Sequence, residues 1–150
     1  MNLSGLSSKG MKMKIYSIYG GYYNTNTQPV FKAVSVPTQK QVNELRVFSH
    51  HIYEYEKGLR SLILTTEKLS NIDIIESKLK KRNIDYLIQK ISDRNINVFF
   101  GRPEAVNVIR SFNQPKLNKY TPEQDFILGT LLGYDKLQQC ERYLKFLNKK

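Results

Sequence analysis

One pair of β-rich segments, separated by a short polar turn, most limits what this chain can fold into. Residues 84–91 and 96–100 are rich in Ile, Val, Leu and aromatic side chains, and residues 92–95 between them are polar. Apolar residues alternate along 96–100, as expected for a strand with one buried face. So short a connection can join only antiparallel neighbours. The sequence therefore predicts a β-hairpin within an antiparallel sheet.

A second hairpin is predicted upstream of the first. Residues 47–55 have the aromatic and β-branched content of a strand, and residues 59–66 have it again. Gly58 lies between them, where it can supply the positive φ that a tight hairpin turn requires.

Two helices are predicted to follow these hairpins. The first begins at Ser70 or Asn71 and runs to about Arg82, with apolar residues at helical spacing and a basic last turn. Asn83 is a suitable C-terminal stop. The second opens at residues 101–104, where Pro103 occupies the first helical turn.

The last helix begins at a capping box, in which Thr121 is the cap and Gln124 reaches back to it. Its apolar residues recur at helical spacing: Ile127, Leu131, Tyr134, Leu137, Cys140, Leu144 and Leu147. A bend or a break is expected at residues 133–135, which include a glycine.

The predicted order is ββα-ββα-α, which is typical of an α+β protein. We expect the two ββα hairpin-helix units to form one antiparallel sheet covered on one face by helices, with a further helix at the C-terminus. Residues 46–150 are predicted to be a single domain. Residues 1–45, rich in Ser, Gly, Asn and Thr and interrupted by Pro29 and Pro37, are predicted to be a disordered leader.

The charge of the chain favours acidic partners. The net charge is +11, with five lysines and one acid in residues 1–45, and nineteen cations and twelve acids in residues 46–150. Such an excess attracts nucleic acid, anionic protein surfaces or phosphate ligands. No apolar run approaches the roughly 18 residues that span a bilayer, so we expect a cytoplasmic protein with no membrane association.

Neither a cofactor nor a metal is predicted. His50 and His51 are neighbours on a predicted strand, where they would point to opposite faces and could not share a metal. The more common outcome is one packed and one exposed histidine. Cys140 is the only cysteine, which excludes an intrachain disulfide and a cysteine-rich zinc site. Its place on the apolar stripe is typical of a small hydrophobe.

Two basic segments have both a functional and a structural interpretation. Arg102 joins a strand end to a helix N-terminus, a geometry that can bind an anion, although a simple turn is the more common explanation. The end of the predicted helix could form a basic patch for nucleic acid, although such residues more often form a solvated helix face. The residues of this patch are Lys78, Lys80, Lys81 and Arg82, with Lys90 and Arg94.

Four segments make the chain similar to a small bacterial family of uncharacterised domains. They are VFSHHIYEYEKGLR (47–60), NINVFFG (95–101), TPEQDFILG (121–129) and LGYDKLQQCERY (132–143). The family has no assigned activity. Its members often lie beside flavodoxin genes, so the resemblance implies an acidic protein partner that a basic domain would meet by electrostatic steering.

Three hypotheses for function follow from the sequence. The first is a non-catalytic binding or accessory module for an acidic protein such as a flavodoxin. The second is nucleic-acid binding through the helix that ends at Lys80, Lys81 and Arg82.

The third hypothesis is an enzyme or small-ligand binder. It would use distant polar residues that converge in the fold: His50 or His51, Arg102, Tyr134 and Arg142. The histidine segment, the turn at residues 101–102 and the helix at 134–142 are therefore the places where a shared pocket is expected.

Overall fold

The computed structural model describes residues 36–148. These residues form six α-helices around a three-stranded sheet, and two short 3-10 turns precede α3 and α5. In chain order the elements are α1 Gln39–Glu44, α2 Arg46–Glu56, β1 Leu62–Lys68, α3 Ile72–Lys81, β2 Asp85–Lys90, β3 Asn95–Gly101, α4 Pro103–Ser111, α5 Pro122–Leu131 and α6 Lys136–Leu147.

The sheet is antiparallel, with strand order β1-β3-β2. Ile63 of β1 and Tyr86 of β2 both lie opposite Phe100 of the central strand. β3 is buried along its length except at Asn95. Successive side chains of a strand point to opposite faces, so this central strand supplies apolar groups to both sides of the sheet.

Helices α2 and α3 cover the first face of the sheet. Phe100 packs edge-to-face against Phe48 of α2, with ring centroids 5.4 Å apart. The buried residues of this cluster are Leu45, Phe48, Ile52, Ile63, Ile74, Ile75, Leu79, Ile84, Ile88, Ile96, Val98 and Phe100.

Helices α4 and α5 cover the second face. Its buried residues are Leu62, Phe99, Ala105, Val106, Ile109 and Leu128. The α+β class, the antiparallel sheet and the C-terminal helix are confirmed. Helices pack on both faces rather than on the predicted one, because Leu62 and Phe99 present a second apolar surface that needs its own cover.

The predicted strand at residues 47–55 is wrong: this segment lies in α2. Leu45, Phe48 and Ile52 are buried and follow the helical period, whereas a strand would bury alternate residues. The aromatic and β-branched content that suggested a strand is a weaker signal than this spacing. The first hairpin is therefore absent, and the observed order of elements replaces ββα-ββα-α.

Gly58 has the predicted positive φ, +73°, but it ends a helix instead of turning a hairpin. The Gly58 N–H donates to the Tyr55 carbonyl at 2.9 Å, and the Leu59 N–H donates to the Glu54 carbonyl at 3.0 Å. This is the bonding pattern of a Schellman motif, which satisfies the last carbonyl groups of α2.

Several local predictions are confirmed. Asn83 ends α3 with φ +55°, and β2 and β3 form the predicted hairpin. Thr121 accepts a hydrogen bond from the Gln124 N–H, as its capping box requires. The last helical segment is split: Gly133 has φ +80°, and Asp135 caps a separate α6.

The predicted disordered leader lies mostly outside the described residues. Its last part, from residue 36, includes α1, which begins at a capping box formed by Thr38 and Gln41. Leu45 at the end of this segment is buried in the first cluster.

Candidate partner-binding surface

The outer side of α2 carries a row of exposed cationic and aromatic residues. Arg46, His50, Tyr53 and Lys57 are spaced four, three and four residues apart, which aligns them on one face of a helix. The rings of His50 and Tyr53 stack with centroids 6.2 Å apart. The Lys57 Nζ lies 5.5 Å from the centroid of the Tyr53 ring, a cation–π distance.

Helix α3 extends this row with three further cations. Lys78 Nζ donates to Ser49 Oγ of α2 at 3.3 Å, and Arg82 Nε lies 3.2 Å from Glu56 Oε1 of α2. Lys81 follows one turn after Lys78 on the same flank. We call this surface the α2–α3 basic face, and its members are Arg46, His50, Tyr53, Lys57, Lys78, Lys81 and Arg82.

Apolar spacing decides which way these residues point. Phe48 and Ile52 turn one side of α2 into the core, so that His50 and Tyr53 must face solvent. Lys80 does not belong to the face. Its Nζ donates to Glu76 at 2.7 Å, and the Lys80 charge acts on Tyr86 of β2.

The carboxylates beside this face are already engaged. Glu54 Oε2 lies 2.8 Å from His51 Nδ1, and the other Glu54 oxygen lies 3.8 Å from His50 Nε2. Arg60 Nε lies 3.9 Å from Glu54. The hydrogen bond with His51 lowers the pKa of Glu54 below its ordinary value of 4.5, so the carboxylate is charged at neutral pH. Its neighbours offset that negative charge.

A polar cleft adjoins the C-terminal end of α2. Its volume is about 470 Å³, and the cations that line it are Arg60 and Arg102. The Arg102 side chain is exposed and lies 3.5 Å from Glu104. Glu56 also lines the cleft, and its ion pair with Arg82 connects the cleft to the α2–α3 basic face.

Tyr134 and Arg142 lie elsewhere, on the hairpin formed by α5 and α6. Arg142 Nε donates to Asp125 Oδ2 at 2.6 Å, and Arg142 also lies over the Phe146 ring. Tyr134 is 58% exposed. Neither residue lines the cleft, so the predicted shared pocket does not include this hairpin.

The other predicted residues come together in part. His50 and His51 meet at Glu54, and His50, Lys81 and Arg82 lie on the α2–α3 basic face. Arg102 lies in the adjoining cleft, whereas Lys80 points toward β2. Within residues 36–148, no cluster of three His, Cys, Asp or Glu side chains is arranged to hold a metal ion.

Sequence reasoning missed Arg46, Tyr53 and Lys57 as members of this surface. The signal was the spacing of Arg46, His50, Tyr53 and Lys57, which only has meaning once residues 46–56 are recognised as a helix. Among the described residues, no helix combines the length and the apolar character that crossing a membrane requires.

These features define a small α+β domain that presents a basic, partly aromatic helix face. A family model described as a protein of unknown function, DUF2023, matches residues 46–146. The chain therefore belongs to the DUF2023 family. No curated protein matches the sequence.

Proposed function

We propose that this protein is a binding module that docks an acidic protein on the α2–α3 basic face. The observation that supports the proposal most directly is the unbroken row from Arg46 through Lys57, with cations of α3 beside it. Residues of this kind steer an acidic surface toward the domain and fix its register.

The charge distribution within the domain favours this interpretation. Residues 36–148 carry eighteen Lys and Arg against thirteen Asp and Glu, and eight of those acids form ion pairs. Within the same residues, Arg46, Lys57 and Lys81 form no ion pair. The excess positive charge is therefore free to meet an external acid.

Aromatic character distinguishes this face from a simple charged surface. Tyr53 is 52% exposed and stacks with His50. Tyrosine and arginine are enriched in protein–protein interfaces, where a ring buries apolar area beside a charged group. A flavodoxin, the acidic redox carrier that the family resemblance implies, is the partner that we propose to test first.

Binding of the full chain to purified FMN-loaded flavodoxin tests the proposal, with a random-sequence duplex DNA of similar total charge as the comparison. We expect saturable binding to flavodoxin that weakens as salt increases, because exposed charges are screened. Binding to duplex DNA alone, with the steep logarithmic salt dependence of counterion release, would support the nucleic-acid hypothesis instead. Binding to neither probe at low salt would contradict the proposal.

A further inference from the structure

Helix α6 leaves an apolar stripe uncovered by the described part of the chain. Leu137 is 74% exposed and Leu144 is 57% exposed, and the side chains of Cys140 and Leu147 lie along the same stripe. Four residues of one helix face are thus apolar and open to water. A contiguous exposed apolar patch of this kind often marks an interaction site, whereas single exposed apolar residues are normal on a protein surface.

A neighbouring side of α6 already packs against α5. Gln139 is buried against Gly129, where a side chain on the glycine would collide with it. The Tyr143 ring packs 5.7 Å from the Phe126 ring, measured between centroids. Packing onto the domain therefore does not use the exposed stripe, which stays available for another element.

The spacing of the stripe is that of a coiled-coil seam. Leu137, Cys140, Leu144 and Leu147 are separated by three, four and three residues, which are the a and d positions of two heptads. A groove of about 550 Å³ between α5 and α6 widens this seam. Its lining residues are Glu123, Phe126, Ile127, Cys140, Tyr143 and Leu144.

The charges that flank the stripe indicate what covers it. Lys136 precedes the first a residue and occupies a g position, whereas Glu141 follows the first d residue and occupies an e position. In a parallel pair of helices, a g residue meets the e residue that lies five positions later on its partner. Lys136 and Glu141 are five positions apart, so two copies of α6 carry complementary charges in this arrangement.

We propose that α6 pairs in parallel with α6 of a second copy of this chain. The two-fold axis then runs along the seam, and each residue of the stripe faces its own counterpart. Leu137 and Leu144 form the apolar centre, and Ile127 of α5 extends it outward. The contact lies on the far side of the sheet from the α2–α3 basic face, so it does not depend on the function proposed above.

Sedimentation of the full chain over a range of protein concentrations tests this proposal. We expect a reversible dimer that tolerates high salt, because apolar burial dominates the seam. Leu144→Glu should weaken dimerisation by about tenfold or more, since it places two like charges at the centre. Leu59→Glu is the matched control, because Leu59 is 70% exposed and lies outside the stripe. Its dimerisation should match that of the wild type.

Cys140 provides a second measurement on the same surface. Two thiols facing each other across the seam should form a disulfide when air oxidises them in the presence of copper phenanthroline, giving a covalent dimer on a non-reducing gel. The double variant Lys136→Glu with Glu141→Lys should dimerise like the wild type, whereas Lys136→Glu alone should be weaker.

Three results would overturn the proposal. One is a wild-type chain that stays monomeric at high concentration. Another is a dimer that Leu144→Glu does not weaken. The third is a monomer in which Cys140 resists a thiol reagent until residues 1–35 are removed, which would assign the stripe to that segment of the same chain.

Discussion

Arg82 Nε lies 3.2 Å from Glu56 Oε1, and this pair links the C-terminal ends of α3 and α2. The contact neutralises the carboxylate that lies closest to the α2–α3 basic face. Both side chains are partly exposed, so the pair contributes at most about 1 kcal/mol to the free energy of unfolding. The main effect of the pair is on the electrostatic potential of the α2–α3 basic face.

Glu56→Gln should therefore strengthen binding of an acidic protein while changing stability little. The substitution removes one negative charge beside the face and leaves Arg82 without its ion-pair partner. We expect a few-fold lower dissociation constant for flavodoxin at low salt, and an unfolding free energy within about 1 kcal/mol of the wild type. Unchanged affinity would mean that the partner does not dock near Glu56.

The stability of the domain should depend on pH through Glu54. The hydrogen bond from His51 lowers the pKa of Glu54 in the folded state, so this carboxylate stabilises the fold above pH 4.5. That contribution is lost as the pH falls through the lowered pKa. Glu54→Gln should be less stable than the wild type at neutral pH, and the difference should shrink in acid.

Urea denaturation at a series of pH values measures this effect. Asp73→Asn provides the control, because Asp73 is exposed, forms no ion pair within the described residues and lies outside the α6 stripe. A stability difference for Glu54→Gln that persists unchanged below the lowered pKa would show that the carboxylate charge is not its cause.

The stability of the domain should depend on pH through Glu67 in the opposite direction from Glu54. Burial raises the pKa of Glu67 above 4.5, although the hydrogen bond from Thr65 opposes this change. The charged form is disfavoured in the folded state, so stability is lost as the pH rises through the raised pKa. Glu67→Gln, which keeps an acceptor for Thr65, should be more stable than the wild type at neutral pH and should lose that advantage in acid. Equal stability across the range would contradict this prediction.

Gly101 should be the least replaceable of the glycines described here. Its φ is +151°, and a methyl group there would lie against the carbonyl oxygen of Ser61, the residue just before β1. Gly101→Ala should cost roughly 2 to 4 kcal/mol, because strain and a backbone collision combine.

Gly58→Ala separates these two causes. Gly58 has φ +73° with open space around it, so only strain of about 1 kcal/mol is expected. Thermal or urea unfolding of the two variants gives the comparison. Equal losses for both would mean that the collision at Ser61 has no energetic effect.

The capping box of α5 should contribute more to the free energy of unfolding than the capping box of α1. Thr121→Ala removes the acceptor for the Gln124 N–H and should cost about 1 kcal/mol. Thr38→Ala removes the same kind of contact, but α1 buries no residue and can fray without opening the core. Similar losses from urea unfolding of both variants would show that α1 is part of the cooperative unit.

The sequence predicted those elements whose ends carry unambiguous chemistry. The capping box at Thr121, the stop at Asn83 and the turn before Asn95 each admit few alternatives, and each lies where expected. The strand prediction for residues 47–55 is wrong because Gly58 suits both a hairpin turn and a helix end. Composition favoured the first, and the spacing of Phe48 and Ile52 favoured the second.

The wrong strand at residues 47–55 is also the reason why the sequence does not predict the α2–α3 basic face. The sequence indicates His50, Lys81 and Arg82 only as separate features, because a strand at residues 47–55 would not align His50 with Arg46 or Lys57. The contact between Arg82 and Glu56 is long-range in sequence, and no local pattern predicts it. Helix pairing, which the core imposes, brings the two basic segments together.

Charge reversal on the α2–α3 basic face tests the central claim most directly. The triple variant Arg46→Glu, Lys57→Glu and Lys81→Glu changes residues that form no ion pair within the described part of the chain. The control, Lys116→Glu with Lys119→Glu and Lys145→Glu, changes the net charge equally at sites outside that face. We predict that the first variant loses about tenfold or more in flavodoxin affinity at low salt and that the control stays near the wild type. Equal losses in both variants would contradict a docking site on α2 and α3.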